Sequence, residues 1–213
     1  MPPLRGSSAY EQAGRVLGWA VGPTSSAPDL GDRLVRHGLG REDSQAMWGI
    51  VMEDIARPLA APATVRVERT PWDAIDPHED MMARSFGFGM TPEDMRAVNR
   101  FYMAFGEAAE VCLAYVEGRP DPVGWSETLY HPDGRVMLLG GSATLDEFRH
   151  RGIYTAMVAA RLRAGAAHGC STAVIQAVKI TSAPVCERLG FRSVCELDLY
   201  GYGLTALGTH TGS

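Results

Sequence analysis

Three apolar runs separated by turn formers, then a helix and a fourth run, leave this chain few ways to fold. Val111–Glu117 (VCLAYVE), Val123–Tyr130 (VGWSETLY) and Val136–Leu145 (VMLLGGSATL) read as strands. GRPDP (118–122) breaks the first from the second, and HPDG (131–134) places Pro, Asp and Gly in usable turn positions before the third. Three strands joined so closely form an antiparallel meander. The next segment, DEFRHRGIYTAMVAARLRAG (146–165), reads as a tight basic loop and a long helix, and Ser171–Val178 (STAVIQAV) as another strand. A helix between neighbouring strands makes a crossover, so the sheet is mixed. On that helix Ile153, Met157, Ala160 and Ala164 share one face, with Arg161 and Arg163 off it.

The flanks extend the pattern. Thr64–Arg69 (TVRVER) alternates as a strand does. Two helices follow over Trp72–Phe88 and Thr91–Phe105, joined by GFGM (87–90). The second carries Thr91 as N-cap, Pro92 at the first helical position, and Glu93 and Asp94 in the first turn. A Met/Phe set (Met81, Met82, Phe86, Phe88, Met90, Met95) lies on these helices, as core or as the wall of a pocket. A short helix over Ala183–Leu189 and a last strand over Val194–Tyr202 complete the order β-α-α-β-β-β-α-β-α-β. The tail from Gly203 reads as frayed.

Composition narrows the function classes. Apolar residues make up 46% of 213, enough for a substantial core. A net charge of −5 gives no general attraction to nucleic acid or anionic membranes. No apolar run approaches the ~20 residues of a membrane span, and MPPLRGSSAYEQ at the N-terminus lacks a signal peptide's apolar stretch. Cys112, Cys170, Cys186 and Cys195 have no metal-ligand spacing. The expectation is a cytoplasmic protein with reduced thiols, no metal, and no nucleic-acid or membrane partner.

The entrance to the long helix carries the chemistry. A helix N-terminus leaves backbone N–H groups without partners and bears a partial positive charge. Here no Ser, Asp or Pro stands near the first turn; Arg149, His150, Arg151 and Gly152 do. An anion would satisfy these amides, the two guanidinium groups would reinforce it, and Gly152 would let the backbone approach closely. A hydrated surface loop is the plainer reading of the same residues. Neither a Rossmann fingerprint nor a P-loop is present. Within the third strand, Gly140–Gly141 is costly unless a bulge or a close-lying ligand requires it.

The run Arg149-His150-Arg151-Gly152-Ile153-Tyr154 resembles the signature Gln/Arg-x-x-Gly-x-Gly/Ala of the GNAT superfamily of acyl-CoA N-acyltransferases. SAPVCERLGF (182–191) is similar to that family's second helix block, which ends in Leu-Gly-Phe. The resemblance covers roughly Val65 to Gly203. It implies an α/β (α+β) fold with a mixed, mostly antiparallel sheet and helices on both faces. It implies acetyl-CoA as cosubstrate, with the diphosphate on the amides of Arg151, Gly152, Ile153, Tyr154 and Thr155, beside Arg149 and His150. The pantetheine arm would pair with the backbone of Ala143, Thr144 and Leu145. The third strand and Ser171–Val178 would splay to admit the thioester, and Gly140–Gly141 would bulge toward the acyl carbonyl.

Two departures bear on mechanism. Tyr154 stands where Gly or Ala is usual, and packing on a neighbouring strand accommodates it. Cys186 stands where many relatives have a tyrosine that protonates the departing thiolate; it is either a general acid or a buried core thiol. Ser182 beside it could touch the coenzyme or orient a water. For the general base, Glu127 on the middle strand is the first candidate, with Glu107, Glu110 and Glu147 as others, each also readable as a solvated acid.

Residues 1–63 lie outside this core. An apolar strand, Ser-Ala-Pro (26–28), a helix carrying Arg33-Leu34 and then glycine parallel the order of strand, Ser-Ala-Pro (182–184), Arg188-Leu189 and Gly190 further on. The segment reads as a partial, degenerate copy of the C-terminal half, with a further strand over Met47–Ile55, extending the main sheet or forming a lid. The expected organisation is 1–63 partial repeat and linker, 64–203 transferase domain, 204–213 tail. The expected function is transfer of an acetyl group from acetyl-CoA to a primary amine of a small molecule or peptide, by direct attack in a ternary complex. A non-catalytic acyl-CoA sensor or partner protein is the alternative, and a longer acyl chain a variant. The oligomeric state stays open, a homodimer included.

Overall fold

A computed structural model describes residues 17–87 and 89–202. The expected frayed tail, the N-terminal stretch and Phe88 lie outside the described residues. In chain order the elements are β1 (Leu17–Val21), α1 (Leu30–Arg36), β2 (Gly40–Arg41), β3 (Met47–Met52), β4 (Val65–Thr70), α2 (Glu79–Phe86), α3 (Pro92–Met103), β5 (Ala109–Val116), β6 (Gly124–Tyr130), β7 (Val136–Thr144), α4 (Ile153–Ala167), β8 (Thr172–Val178), α5 (Ser182–Arg188) and β9 (Arg192–Tyr202). The chain divides into two compact units. The larger comprises Val51–Ile175 with Leu189–Phe191; the smaller comprises Met1–Ile50, Gln176–Arg188 and Arg192–Ser213.

In the larger unit β4, β5, β6 and β7 form the antiparallel meander read from the turn formers. After the α4 crossover, β8 pairs parallel to β7, Val136 opposite Thr172. Alternation along β5 assigns the two faces. Val111 and Leu113 point to a cluster with Ile75, Met82, Met95 and Trp125, which the helices α2 and α3 cover. Ala114 points the other way, to Val123, Leu145, Phe148, Ile153 and Met157 under α4. Met81, Phe86 and Met90 pack against the first cluster, so the described part of the Met/Phe set is core.

The expected helix over 72–88 begins late. Trp72–Ala74 and Asp76–His78 are single 3₁₀ turns, and α-helix starts only at Glu79. Pro77 has no N–H to give, and its ring clashes with a preceding helical turn. The cap of α3 forms as read: Thr91 Oγ1 accepts from the Asp94 amide (3.2 Å) and Asp94 accepts from the Thr91 amide (3.1 Å). Arg161 departs from expectation. It lies off the stripe formed by Ile153, Met157 and Ala160, yet it is buried, because α4 is covered on more than that one face.

On the α4 side a carboxylate ties four elements together. Glu110 of β5 accepts from the Tyr130 hydroxyl (2.8 Å), meets His168 Nε2 at 3.1 Å and pairs with Arg69 at 3.2 Å. The Tyr130 ring stacks on His168 with centroids 4.1 Å apart. A buried carboxylate so fully partnered is a structural fastener.

In the smaller unit β1 pairs antiparallel with β9, Trp19 opposite Tyr200, and the strand order runs β1-β9-β3 with β2 also on β9. The N-terminal strand thus extends a sheet. Leu34, Leu39 and Tyr200 form its core, with Val21 and Leu30 packed on them. The two Ser-Ala-Pro triplets sit differently: the first precedes α1, whereas Ser182-Ala183-Pro184 opens α5 itself.

Glu110→Ala should cost about 2–3 kcal/mol, since it strands the Tyr130 hydroxyl and opens a cavity while Arg69 and His168 rehydrate. Urea unfolding checks it; a loss below ~0.5 kcal/mol would show the network to be ornamental.

Candidate active site

The basic loop folds as its residues demand. A 3₁₀ turn over Asp146–Phe148 leads to His150 at φ 61° and Gly152 at φ 75°, both left-handed. Two such residues turn the chain sharply onto α4 and leave its first turn without a side-chain cap. Ile153, Tyr154 and Thr155 supply the first-turn amides, and Tyr154 is half-buried against the α4-side cluster. Arg149 is not idle: it pairs with Asp146 at 2.7 Å. Arg151 donates to the Glu147 carbonyl (3.1 Å) and lies over the Phe148 ring. Gly152 is required twice, by its φ and because a Cβ there would come within 2.5 Å of Pro62.

Beside the loop, β7 offers a backbone edge. Its parallel pairing with β8 covers Val136–Leu138 and Thr172–Val174 only. From Leu139 through Thr144 that edge has no partner strand among the described residues of the larger unit, while the opposite edge stays paired to β6, Ala143 with Trp125 and Thr144 with Gly124. Leu145 closes the strand, its amide donating to Val123 (2.9 Å).

The ladder between β6 and β7 is interrupted once. Ser126 faces Ser142 and Thr128 faces Leu139, so the single residue Glu127 stands opposite Gly140 and Gly141. This is a β-bulge at the expected glycines. Glu127 has no ladder partner on β7, and its carbonyl accepts instead from Arg161 Nη1 (3.1 Å). Glu127 is 1% exposed, and among the described residues its carboxylate meets the Tyr102 hydroxyl without a well-aligned hydrogen bond. The hydroxyls of Ser126 and Ser142, flanking the bulge, also lack partners among the described residues. Orphaned polar atoms are rare in protein interiors, and here several adjoin one interruption.

Burial dominates the Glu127 carboxyl and pushes it up to about 8, against the opposing pull of Tyr102 and Arg161. Tyr102, on α3, is itself pushed up to about 12, first by burial and then by the Glu127 charge. Of the other carboxylates named from the sequence, Glu107 and Glu147 are exposed and Glu110 is committed to its fastener. Tyr102 was missed in the sequence. The available signal was helical spacing, since Met95, Asn99 and Tyr102 recur at i, i+4 and i+7.

Ser182 and Cys186 belong to the smaller unit. Ser182 Oγ accepts from the Val178 amide (2.9 Å), and Cys186 is wholly buried. Among the described residues no group of three or more His, Cys, Asp or Glu could hold a metal ion, and no helix is long and apolar enough to cross a membrane.

The larger unit thus combines a meander with one helical crossover, an uncapped basic helix entrance and a bulged strand with a free edge. The sequence model of the Acetyltransferase (GNAT) family matches residues 75–191, more than half of the chain. The chain belongs to the GNAT acetyltransferase family and is an acyltransferase. No curated protein matches the sequence. Among solved structures, a GCN5-related N-acetyltransferase from Kribbella flavida is similar over 95% of this chain and 75% of its own, at 18% identity and TM-score 0.64. A tandem GNAT protein from the clavulanic acid biosynthesis pathway is similar over 92% of this chain and 66% of its own, at 15% identity and TM-score 0.63. The aminoglycoside N-acetyltransferase AAC(6')-Iy, in complex with CoA, is similar over 65% of this chain and 93% of its own, at 18% identity and TM-score 0.51.

Burying Glu127 carries a signed pH dependence. The unfolded carboxyl loses its proton near 4.5, whereas the folded one keeps it to about 8. Between these values the unfolded state binds fewer protons, so stability falls as pH rises. Glu127→Gln should therefore gain on wild type from about pH 5 to about pH 8 and then level off, by on the order of a few kcal/mol. Urea midpoints across that range check it; a constant difference would mean that Glu127 titrates normally.

Proposed function

We propose that the protein transfers an acetyl group from acetyl-CoA to a primary amine of a small molecule or peptide, by direct attack in a ternary complex. The observation that carries the reading is the buried Glu127 carboxylate, without a well-aligned hydrogen bond, at the double-glycine bulge. Such a group is stabilised by receiving a proton. Raised to about 8, it approaches the basicity of amines and is matched to take one.

The remaining parts fit the cosubstrate. The first-turn amides of α4, which follow Arg149 and Arg151 in the chain, suit a diphosphate, with His150 shaping the turn. The free edge of β7 through Ala143 and Thr144 to Leu145 suits the amides of a pantetheine arm. The amine nitrogen bonds to the thioester carbon, the carbon–sulfur bond breaks, and the sulfur leaves with the electron pair. The surplus proton on nitrogen passes to Glu127, directly or through water. No proton step is assigned to Cys186, whose complete burial suits a packing thiol, or to Ser182, whose oxygen already caps Val178.

Glu127→Gln should lower kcat roughly 10²-fold or more while acetyl-CoA binding persists. Thiol release over a panel of amines, beside calorimetry with acetyl-CoA, reads both; wild-type turnover in this variant removes Glu127 from the reaction. Coenzyme binding by the wild-type protein with no thiol release on any amine would favour the acyl-CoA sensor. Charge at Arg151 tests the anion site more cleanly than any change at Gly152, because Arg151 is exposed. Arg151→Glu should weaken acetyl-CoA binding about tenfold or more with an unaltered Tm. Undiminished affinity would place the diphosphate elsewhere.

A further inference from the structure

We propose that Tyr102 is a positioning residue for this transfer: its hydroxyl, seated against the double-glycine bulge, donates to the Glu127 carboxylate and holds it in place. The proposal rests on the reading of Glu127 as base.

The two glycines point to it. Neither Gly140 nor Gly141 has a positive φ, so neither is glycine for the sake of backbone conformation. Both are glycine for space. A Cβ at 140 would lie 2.5 Å from the Tyr102 Oη, and a Cβ at 141 would lie 2.8 Å from the Glu127 Oε2. Any other residue at either position would displace one of these two oxygens. The strand thus gives up β-propensity at two adjacent positions to seat a hydroxyl and a carboxylate together.

Tyr102 is also clamped. Its ring stacks on Trp72, with centroids 6.1 Å apart and planes 18° from parallel, and Phe101 meets it edge-on at 5.6 Å. The Trp72 indole is fixed in turn, donating to the Ala109 carbonyl (3.2 Å). A phenol so held aims its hydroxyl without further ordering cost.

The chemistry has a definite sign. A donor to the ionised carboxylate favours that form and opposes burial. The titratable and charged groups bearing on Glu127 are Tyr102 from α3 and Arg161 from α4. The strands beside it present Val111 from β5 and the two glycines from β7, none of which can carry charge. Removing the hydroxyl therefore leaves Glu127 protonated, and unable to act as a base, to a higher pH.

The test needs no acceptor. Glu127 is titrated directly by carboxyl ¹³C NMR in wild type and Tyr102→Phe, with Glu127→Gln identifying its resonance. The midpoint should rise by about one pH unit or more, the equivalent of one charge-assisted hydrogen bond. Gly140→Ala, which keeps the phenol but pushes its oxygen away, should shift the midpoint the same way and serves if Tyr102→Phe does not fold. Where an acceptor amine turns over, the acidic limb of kcat/KM should move with the midpoint. An unmoved Glu127 midpoint in these variants overturns the proposal, even if activity drops, because lost activity alone is what a structural tyrosine would give. Full turnover in Glu127→Gln overturns the base assignment instead, and the two failures are thereby told apart.

Discussion

Where β6 meets β7, one residue faces two, and the candidate active site is built on that mismatch. The bulge takes Glu127 out of the β7 ladder, turns its carbonyl to Arg161 and brings its carboxylate up against Gly141, while the Tyr102 hydroxyl fills the space beside Gly140. The free edge of β7 starts at Leu139, just before the glycines. A regular ladder would have given Glu127 an ordinary cross-strand neighbour and left no room for the Tyr102 hydroxyl.

Two carboxylates on opposite faces of this sheet show what that departure costs. Glu110 and Glu127 are buried to nearly the same degree, 4% and 1% exposed. Glu110 is met by Tyr130, His168 and Arg69 and fastens β4, β5, β6 and α4. Glu127 has burial without a full set of partners. The first arrangement stabilises a fold; the second stores an unmet demand for a proton, the kind of conflict that folded chains retain where chemistry is done.

Much of this was legible because it depends on neighbours in sequence. The meander follows from turn formers at 118–122 and 131–134, and the start of α3 from Thr91, Pro92 and Asp94. The bare entrance to α4 could be read from residues that cannot cap, and the bulge from two glycines inside an apolar strand. Each is a local steric or hydrogen-bonding rule that operates within a few residues. The late start of α2 was also local: Pro77 forbids the earlier turn, and apolar content alone had obscured it.

What the chain could not disclose along its own length was which groups meet across elements. Arg161 falls outside the apolar stripe of its helix yet is buried, and the carbonyl that accepts from it comes from the interrupted ladder of another element. Glu110 and Glu127 lie on strands of similar pattern, and only packing decides that one finds three partners and the other a clamped tyrosine. Sequence alone determined the order of elements along the chain from β4 onward, the helix entrance and the place of the bulge, because those rest on short-range sterics. Tertiary structure alone decided which carboxylate keeps its proton, because desolvation and donor geometry are set by residues 25 to 34 positions away, brought into contact by folding.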